Sequence, residues 1–442
     1  MAFSLFLFLC YLTFMFNVEK KVLDNGLRVV LVPMPNSEAV TIQVLVGVGS
    51  KNETKEINGI SHFLEHMFLK GTLRRPNPGD IHAEIDKIGA SHNASTSLEL
   101  TDFYIKSSAK DFDVGLDIIS DIILNPLFNG EEIEKERGVI LQEISMYEDM
   151  PPEKVLRSLI GVMYGDQPMG RETLGTKESV EKINKKDILK YRNDNYTPGN
   201  SVIVVAGGID KDSAFEKIKS AFSEMEKKSS SNGFEFFDSQ LKPGIKIFDK
   251  KIDQSHFAIG TKAFNMFDEK KYALSILSTV LGEKFSSRLF TEIREKLGLA
   301  YYVGSTTWLL LKDGILFIRA GVSHNNLEKA VKKIIEIIID IRNNSVTKKE
   351  LEEAKSFLRG QMALGLETSN RVADFFGEQE LFYGKMMQPE EILEKIEKVT
   401  QDDILKVAQE IFQPEKISMA VIGNHHDFAE KEAFYKNLFS KI

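Results

Sequence analysis

Residues 181–207 read EKINKKDILKYRNDNYTPGNSVIVVAG, and residues 397–423 read EKVTQDDILKVAQEIFQPEKISMAVIG. Laid over each other at a shift of 216, without a gap, they match Glu181-Lys182 with Glu397-Lys398 and Asp187-Ile188-Leu189-Lys190 with Asp403-Ile404-Leu405-Lys406. The register continues through Tyr196 on Phe412, Pro198 on Pro414, Val205 on Val421 and Gly207 on Gly423. A helix, a proline turn and an apolar strand recur in one order. A shift of nearly half the 442 residues far exceeds the roughly 20 to 50 residues of a solenoid repeat, so the chain reads as two domains of one fold. The Ser- and Asn-rich stretch Lys227 to Gln240 supplies the linker, which gives a first domain over 17–230 and a second over 241–442.

Within the first domain, Leu27 to Val32 and Val40 to Val48 are β-branched runs that read as a strand pair joined by a turn. His92 to Ser97 and Thr101 to Ser107 read as two more strands. Ile60 to Leu69, Asp80 to Ile88, Asp111 to Leu124 and Asn129 to Tyr147 carry helical periodicity, the last opened by an Asn129-x-x-Glu132 cap. Strands and helices that interleave without regular βαβ alternation predict an α+β fold, helices packed on a mainly antiparallel or mixed sheet in each domain.

Charge and cysteine content narrow the chemistry. Fifty-seven Lys and Arg against 65 Asp and Glu leave a net charge of −8, which argues against a partner bound by bulk positive charge and so against nucleic acid. The one cysteine, Cys10, cannot make an intramolecular disulfide, a thiolate zinc site or an iron–sulfur cluster, so any metal falls to His and carboxylates. Met1 to Phe16 is an almost unbroken apolar run, too short for a comfortable membrane span and without the basic start or small-residue cleavage site of a signal peptide. It reads as an extension upstream of a start at Met15, which favours a cytoplasmic protein; the alternative is a weak anchor or export signal through residues 1–16.

Ser61-His62-Phe63-Leu64-Glu65-His66 contains H-x-x-E-H within a helical segment. His62 and His66 are i and i+4 and share a face, so two imidazoles can grip one ion, and Glu65 points to the same side, where it can reach a metal-bound water. Composition alone produces this spacing in about one chain in fifty. The other six histidines, His82, His92, His256, His324, His425 and His426, show no partner spacing and read as surface or hydrogen-bonded residues. Glu136 and Glu143 lie two helical turns apart on a face that also carries Ile133 and Ile140, which makes that helix the better source of a third ligand. A carboxylate buried in such apolar text needs a partner, and a metal ion would serve.

These residues resemble the pitrilysin or insulinase family of zinc metallopeptidases, the inverzincins, and most of all its two-domain processing-peptidase-type members. The resemblance covers essentially the whole chain from about Asn17. In that family a glutamate follows the H-x-x-E-H helix after 76 residues, and from His66 the count lands on Glu143. The resemblance therefore implies that His62, His66 and Glu143 bind one zinc ion per chain, that Glu65 is the general base and that Glu136 supports the site. It also implies a clamshell of two related domains. Arg294 and Tyr301 match a family pair that reaches the substrate from the second domain, with Tyr302 adjacent, and Asn93, Ala94 and Thr96 match an edge strand that pairs with the peptide backbone.

The repeat adds an asymmetry. At a shift of 218, Asn129-x-x-Glu132 falls on Thr347-x-x-Glu350, while Glu136 and Glu143 fall on Ala354 and Gln361, and no H-x-x-E-H stands in the second half. The expectation is a zinc-dependent endopeptidase whose first half catalyses and whose second closes over extended or unfolded peptides, self-sufficient or a homodimer. The alternatives are a non-catalytic core subunit of the same fold and a metal-dependent hydrolase of another substrate.

Overall fold

The computed structural model describes residues 15–228, 243–426 and 428–442. The apolar start up to Phe14 and most of the expected linker lie outside these residues. In the first half, β1 (Glu19–Val22), β2 (Arg28–Pro33), β3 (Ala39–Val46), β4 (Ser91–Thr96), β5 (Thr101–Ser108) and β6 (Ser201–Gly207) form one sheet in the order β1-β2-β6-β3-β5-β4. In the second half, β7 (Ile245–Asp249), β8 (Ser255–Lys262), β9 (Ala300–Leu309), β10 (Gly314–Val322) and β11 (Ile417–Gly423) follow the order β7-β11-β8-β10-β9. Both sheets are mixed. β2 pairs parallel to β6 and β7 parallel to β11, while the remaining pairs are antiparallel. The two orders are the same once β1 is set aside, so the repeat in sequence is a repeat in topology.

The expected pairing of the first two long strands is corrected. β2 and β3 are not neighbours, because β6 enters between them, parallel to β2 and antiparallel to β3. All seven residues of β6 are buried. A strand buried on both faces belongs at the centre of a sheet, and its unbroken apolar text SVIVVAG, rather than an alternating one, is the sign of that position. The hairpin partner of β2 is β1, joined through Gly26 at φ +93°.

Each sheet is covered on one face by helices of its own half, as the two largest apolar clusters show. The other face is covered by exchange. The helix Pro151–Tyr164 leaves the first half to pack on β8 and β11, and the helix Ser369–Tyr383 leaves the second half to pack on β3 and β6. Val155, Leu156, Leu159, Ile160 and Met163 recur on one side of the first and meet Ala258, Phe317, Ala420 and Ile422. Burial of each large side chain contributes about 1.5–3 kcal/mol. At Gly260 a Cβ would stand 2.8 Å from Leu159 Cδ2 and 3.0 Å from Met163 Sδ, so glycine lets these side chains of the helix lie close against β8. Val372, Ala373 and Phe376 do the same work on Val30, Leu45 and Val204. Glu380 adds polar anchors, with Lys20 Nζ 2.6 Å from its carboxylate and Arg28 Nη1 donating to its carbonyl at 2.9 Å. Among the described residues no helix is long and apolar enough to cross a membrane.

Candidate metal centre

The helix Ile60–Phe68 begins at Gly59, φ +96°, where a Cβ would lie 2.6 Å from the Leu174 carbonyl oxygen. Glycine has no side chain with which to cap, so the first free N–H groups turn to buried Glu53. Its Oε2 accepts from Gly59 N at 2.6 Å and from Asn58 Nδ2 at 2.8 Å, and its Oε1 accepts from Ser61 N at 2.8 Å. Ile60, Phe63, Leu64, Met67 and Phe68 bury one side of this helix in the core. His62, Glu65 and His66 are left on the other side, at i, i+3 and i+4.

Against it packs the helix Gly130–Glu148, started by Asn129, whose side chain accepts from Glu131 N at 2.9 Å. Ile133, Ile140 and Ile144 hold it to the core, which turns Glu136 and Glu143 toward the histidines. Glu143 Oε2 stands 3.5 Å from His62 Nε2 and 3.6 Å from His66 Nε2. One donor atom from each of the three residues lies within 4.8 Å of the other two, and no other such group occurs among the described residues. A tetrahedral zinc ion with ligands at about 2.1 Å needs donors about 3.4 Å apart, so the spacing fits one ion held by two imidazoles and a carboxylate.

The protonation states fit as well. Burial, helped by the nearby His66 and Arg157, brings the His62 imidazole down to about 3, so the ring is neutral and its lone pair free near neutral pH. His66 Nδ1 faces Glu136 Oε2 at 3.1 Å, which leaves Nε2 for the ion, and Lys70 Nζ lies 2.7 Å from the other Glu136 oxygen. Burial pushes the Glu136 carboxyl up, but the His66 and Lys70 contacts outweigh it and hold the group below its usual range. Glu65 is raised by burial, opposed by the Thr96 hydroxyl, which donates to its Oε2 at 2.5 Å.

A cleft of about 360 Å³ opens beside the cluster, lined by His62, Glu65, Glu143, the Ala94 to Thr96 stretch of β4 and, from the second half, Trp308 of β9. β4 is the last strand of its sheet, so one side of its backbone ladder is open to an added strand. Asn93 lies on this strand with an exposed side chain outside the cleft lining. Arg294 and Tyr301 meet each other rather than the metal cluster: the guanidinium sits over the Tyr301 ring at 5.8 Å and the Phe290 ring at 4.9 Å. Tyr301 is 75% exposed, whereas the Tyr302 hydroxyl is used on His256 Nδ1 at 3.0 Å. Of the two adjacent tyrosines, Tyr301 is therefore the exposed one and Tyr302 the one tied into the protein. His324 and His425 both hydrogen-bond Ser255, and His82 and His92 pack ring to ring at 5.2 Å.

Sequence reading missed Glu53, Arg157, Trp308 and the bond from Thr96 to Glu65. The signal for Glu53 is an acidic residue shortly before a helix that starts at glycine; Arg157 and Trp308 reach the cleft through the exchanged helix and the second sheet, and no local pattern points to them.

Residues 28–177 match the family described as insulinase (peptidase family M16), and residues 182–358 match the peptidase M16 inactive domain. A Bacillus subtilis protein named uncharacterized zinc protease YmxG is 35% identical over 406 residues, 92% of this chain and 98% of its own. Among solved structures, a protease from Helicobacter pylori superposes with a TM-score of 0.86 at 24% identity, covering 93% of this chain and all of that one. A chain of complex III2 from Candida albicans has the same fold, with a TM-score of 0.81 at 18% identity over 96% of this chain and 100% of that one. Two family matches that together span well over half the chain, and a relative at 35% identity over nearly its full length, settle the kinship: the chain belongs to the insulinase family of peptidases, family M16.

Proposed function

We propose that the protein is a zinc-dependent endopeptidase that hydrolyses extended peptides. The observation that carries this reading is the convergence of His62 Nε2, His66 Nε2 and Glu143 Oε2 beside Glu65, at the mouth of a cleft with an open strand edge. Zinc bound there would supply a Lewis acid that activates water and polarises the scissile carbonyl. Glu65 takes the proton of the attacking water and passes it to the leaving nitrogen. Thr96 holds the base in place through its hydroxyl, while the backbone of β4 binds the peptide as an added strand and so reads shape rather than side chains. Arg294 and Tyr301 approach the same peptide from the second half and steady its carbonyl groups.

The non-catalytic alternative has the fold shared with the complex III2 chain in its favour. Against it stands a partly buried set of two imidazoles and two carboxylates, which is costly to hold together and which the fold does without in its second half. Cleavage of an internally quenched peptide, abolished by a chelator and restored by zinc, supports the peptidase; metal binding without cleavage of any peptide in a broad library overturns it.

A further inference from the structure

The two halves touch through a pair of equivalent hairpins. The turn of β4–β5 closes through Ser97 N donating to the Leu100 carbonyl at 2.8 Å, and the turn of β9–β10 closes through Leu310 N donating to the Asp313 carbonyl at 2.9 Å. Glu99 stands in the first turn and is 6% exposed. One of its oxygens lies 2.8 Å from Nζ of Lys51, which is fully buried; the other accepts from Leu311 N, in the second turn, at 2.9 Å. The first turn is also seated on the strand-to-helix loop of its own half, by Ser50 N donating to the Ser97 carbonyl at 3.1 Å and Lys51 N to the Leu98 carbonyl at 2.9 Å. Leu98 continues the contact into the apolar cluster that holds Trp308 and Leu310.

Three residues before Glu99 on this hairpin is Thr96, whose hydroxyl holds Glu65. On the facing hairpin, Trp308 lines the cleft. We infer that Glu99 is a positioning residue: it locks the tip of β4–β5 onto the tip of β9–β10 and thereby fixes the strand that orients the base and receives the peptide relative to the wall supplied by the second half. A carboxylate that shares its two oxygens between a buried ammonium in one half and a backbone N–H in the other defines distance and angle together, which an apolar contact between two turns does not. Misplacement of reacting groups by about 1 Å costs up to about 10²-fold in rate, so a tether of this kind acts on turnover without touching substrate.

The inference rests on the peptidase reading for its kinetic consequence, and a second readout separates the two. Trp308 is the sole tryptophan of the chain and sits at the tethered hairpin, edge-on to Phe317 at 5.3 Å, so its emission reports the contact whether or not the protein cleaves anything. Because removal of one partner strands a buried charge, the test uses the paired variant Lys51→Met with Glu99→Leu in the full-length zinc-loaded protein. The expected result is one zinc per chain as in the wild type, a red-shifted Trp308 emission, at least a twofold rise in acrylamide quenching, and a kcat lower by about 10- to 100-fold with a smaller change in KM. Emission, quenching and kcat equal to the wild type overturn the inference, as does a changed emission with unchanged kcat. Should the double variant fail to fold, Glu99→Gln, which keeps the volume and can accept from one of the two donors, is judged on the same readouts with a smaller loss expected. A wild type that binds zinc and cleaves nothing sinks the peptidase reading alone, and the fluorescence then decides the tether.

Discussion

The helices Gly130–Glu148 and Lys348–Gly365 are counterparts in the two halves, each opened by a capping side chain, Asn129 and Thr347. At the repeat register, buried Glu136 faces buried Ala354, and Glu143, beside the histidines, faces exposed Gln361. The helix Ile60–Phe68 precedes β4 as Lys271–Ser278 precedes β9, but the latter buries Tyr272, Leu274, Ile276 and Leu277 and carries no imidazole. Both halves are thus held by an apolar core, and only the first adds a partly buried polar cluster to it. The fold does not require the cluster, so its presence in the first half is a matter of chemistry rather than of stability.

The sharpest way to break this comparison is to make the first half resemble the second. Replacing His62, His66 or Glu143 by Ala is expected to lose zinc by elemental analysis and to lower peptide cleavage by at least about 10³-fold, while the melting transition of the metal-free protein persists. Full zinc retention in Glu143→Ala would reassign the third ligand. Glu136→Ala, the exact swap found at position 354, is expected to weaken zinc affinity by about 10- to 100-fold, because the His66 ring then loses the partner that sets its tautomer. Arg294→Ala and Tyr301→Phe probe the second half's share: each is expected to lower kcat/KM by about 10- to 100-fold with zinc intact, and unchanged kinetics would confine the work to the first half.

A smaller effect concerns the carboxylate that caps the helix of the two histidines. Burial pushes the Glu53 carboxyl up to about 7, against the pull of the N–H donors of Gly59, Ser61 and Asn58. The native pKa lies above the unfolded value, so the native state holds more protons between the two, and the stability from this group is full below about 4.5 and lost as pH rises through about 7. Glu53→Gln removes that titration. The stability gap between wild type and variant is expected to move by at most about 3 kcal/mol between pH 5 and pH 8, in the variant's favour at the higher pH. A gap independent of pH would show that Glu53 stays ionised throughout.

Much of this architecture can be read from residues 181–207 and 397–423, because a helix, turn and apolar strand that recur at one shift can only be two copies of one unit. The insertion of β6 between β2 and β3 could not be read locally: a turn of suitable length suggests a hairpin, and only the two-sided burial of β6 decides otherwise. The exchange of Pro151–Tyr164 and Ser369–Tyr383 was hidden for a related reason. Amphipathic spacing announces that a helix has a face to bury, but not which sheet receives it. At the site, the pairing of His62 with His66 follows from helical geometry and the helix of Glu136 and Glu143 from its periodicity, whereas the choice of Glu143 came from a family spacing of 76 residues that no physical rule predicts. The contacts of Thr96 with Glu65 and of Glu99 with Leu311 depend on where two hairpins end in space, which sequence pattern does not encode.

The central claim is that the first half's cluster holds zinc and that Glu65 does its chemistry beside it. It is tested most directly by zinc content and quenched-peptide cleavage measured side by side on the wild type and Glu65→Gln. The account predicts one zinc per chain in both proteins, chelator-sensitive cleavage by the wild type and a loss of about 10²- to 10⁴-fold in the variant. Wild-type turnover in Glu65→Gln, or cleavage indifferent to the removal of zinc, would contradict it.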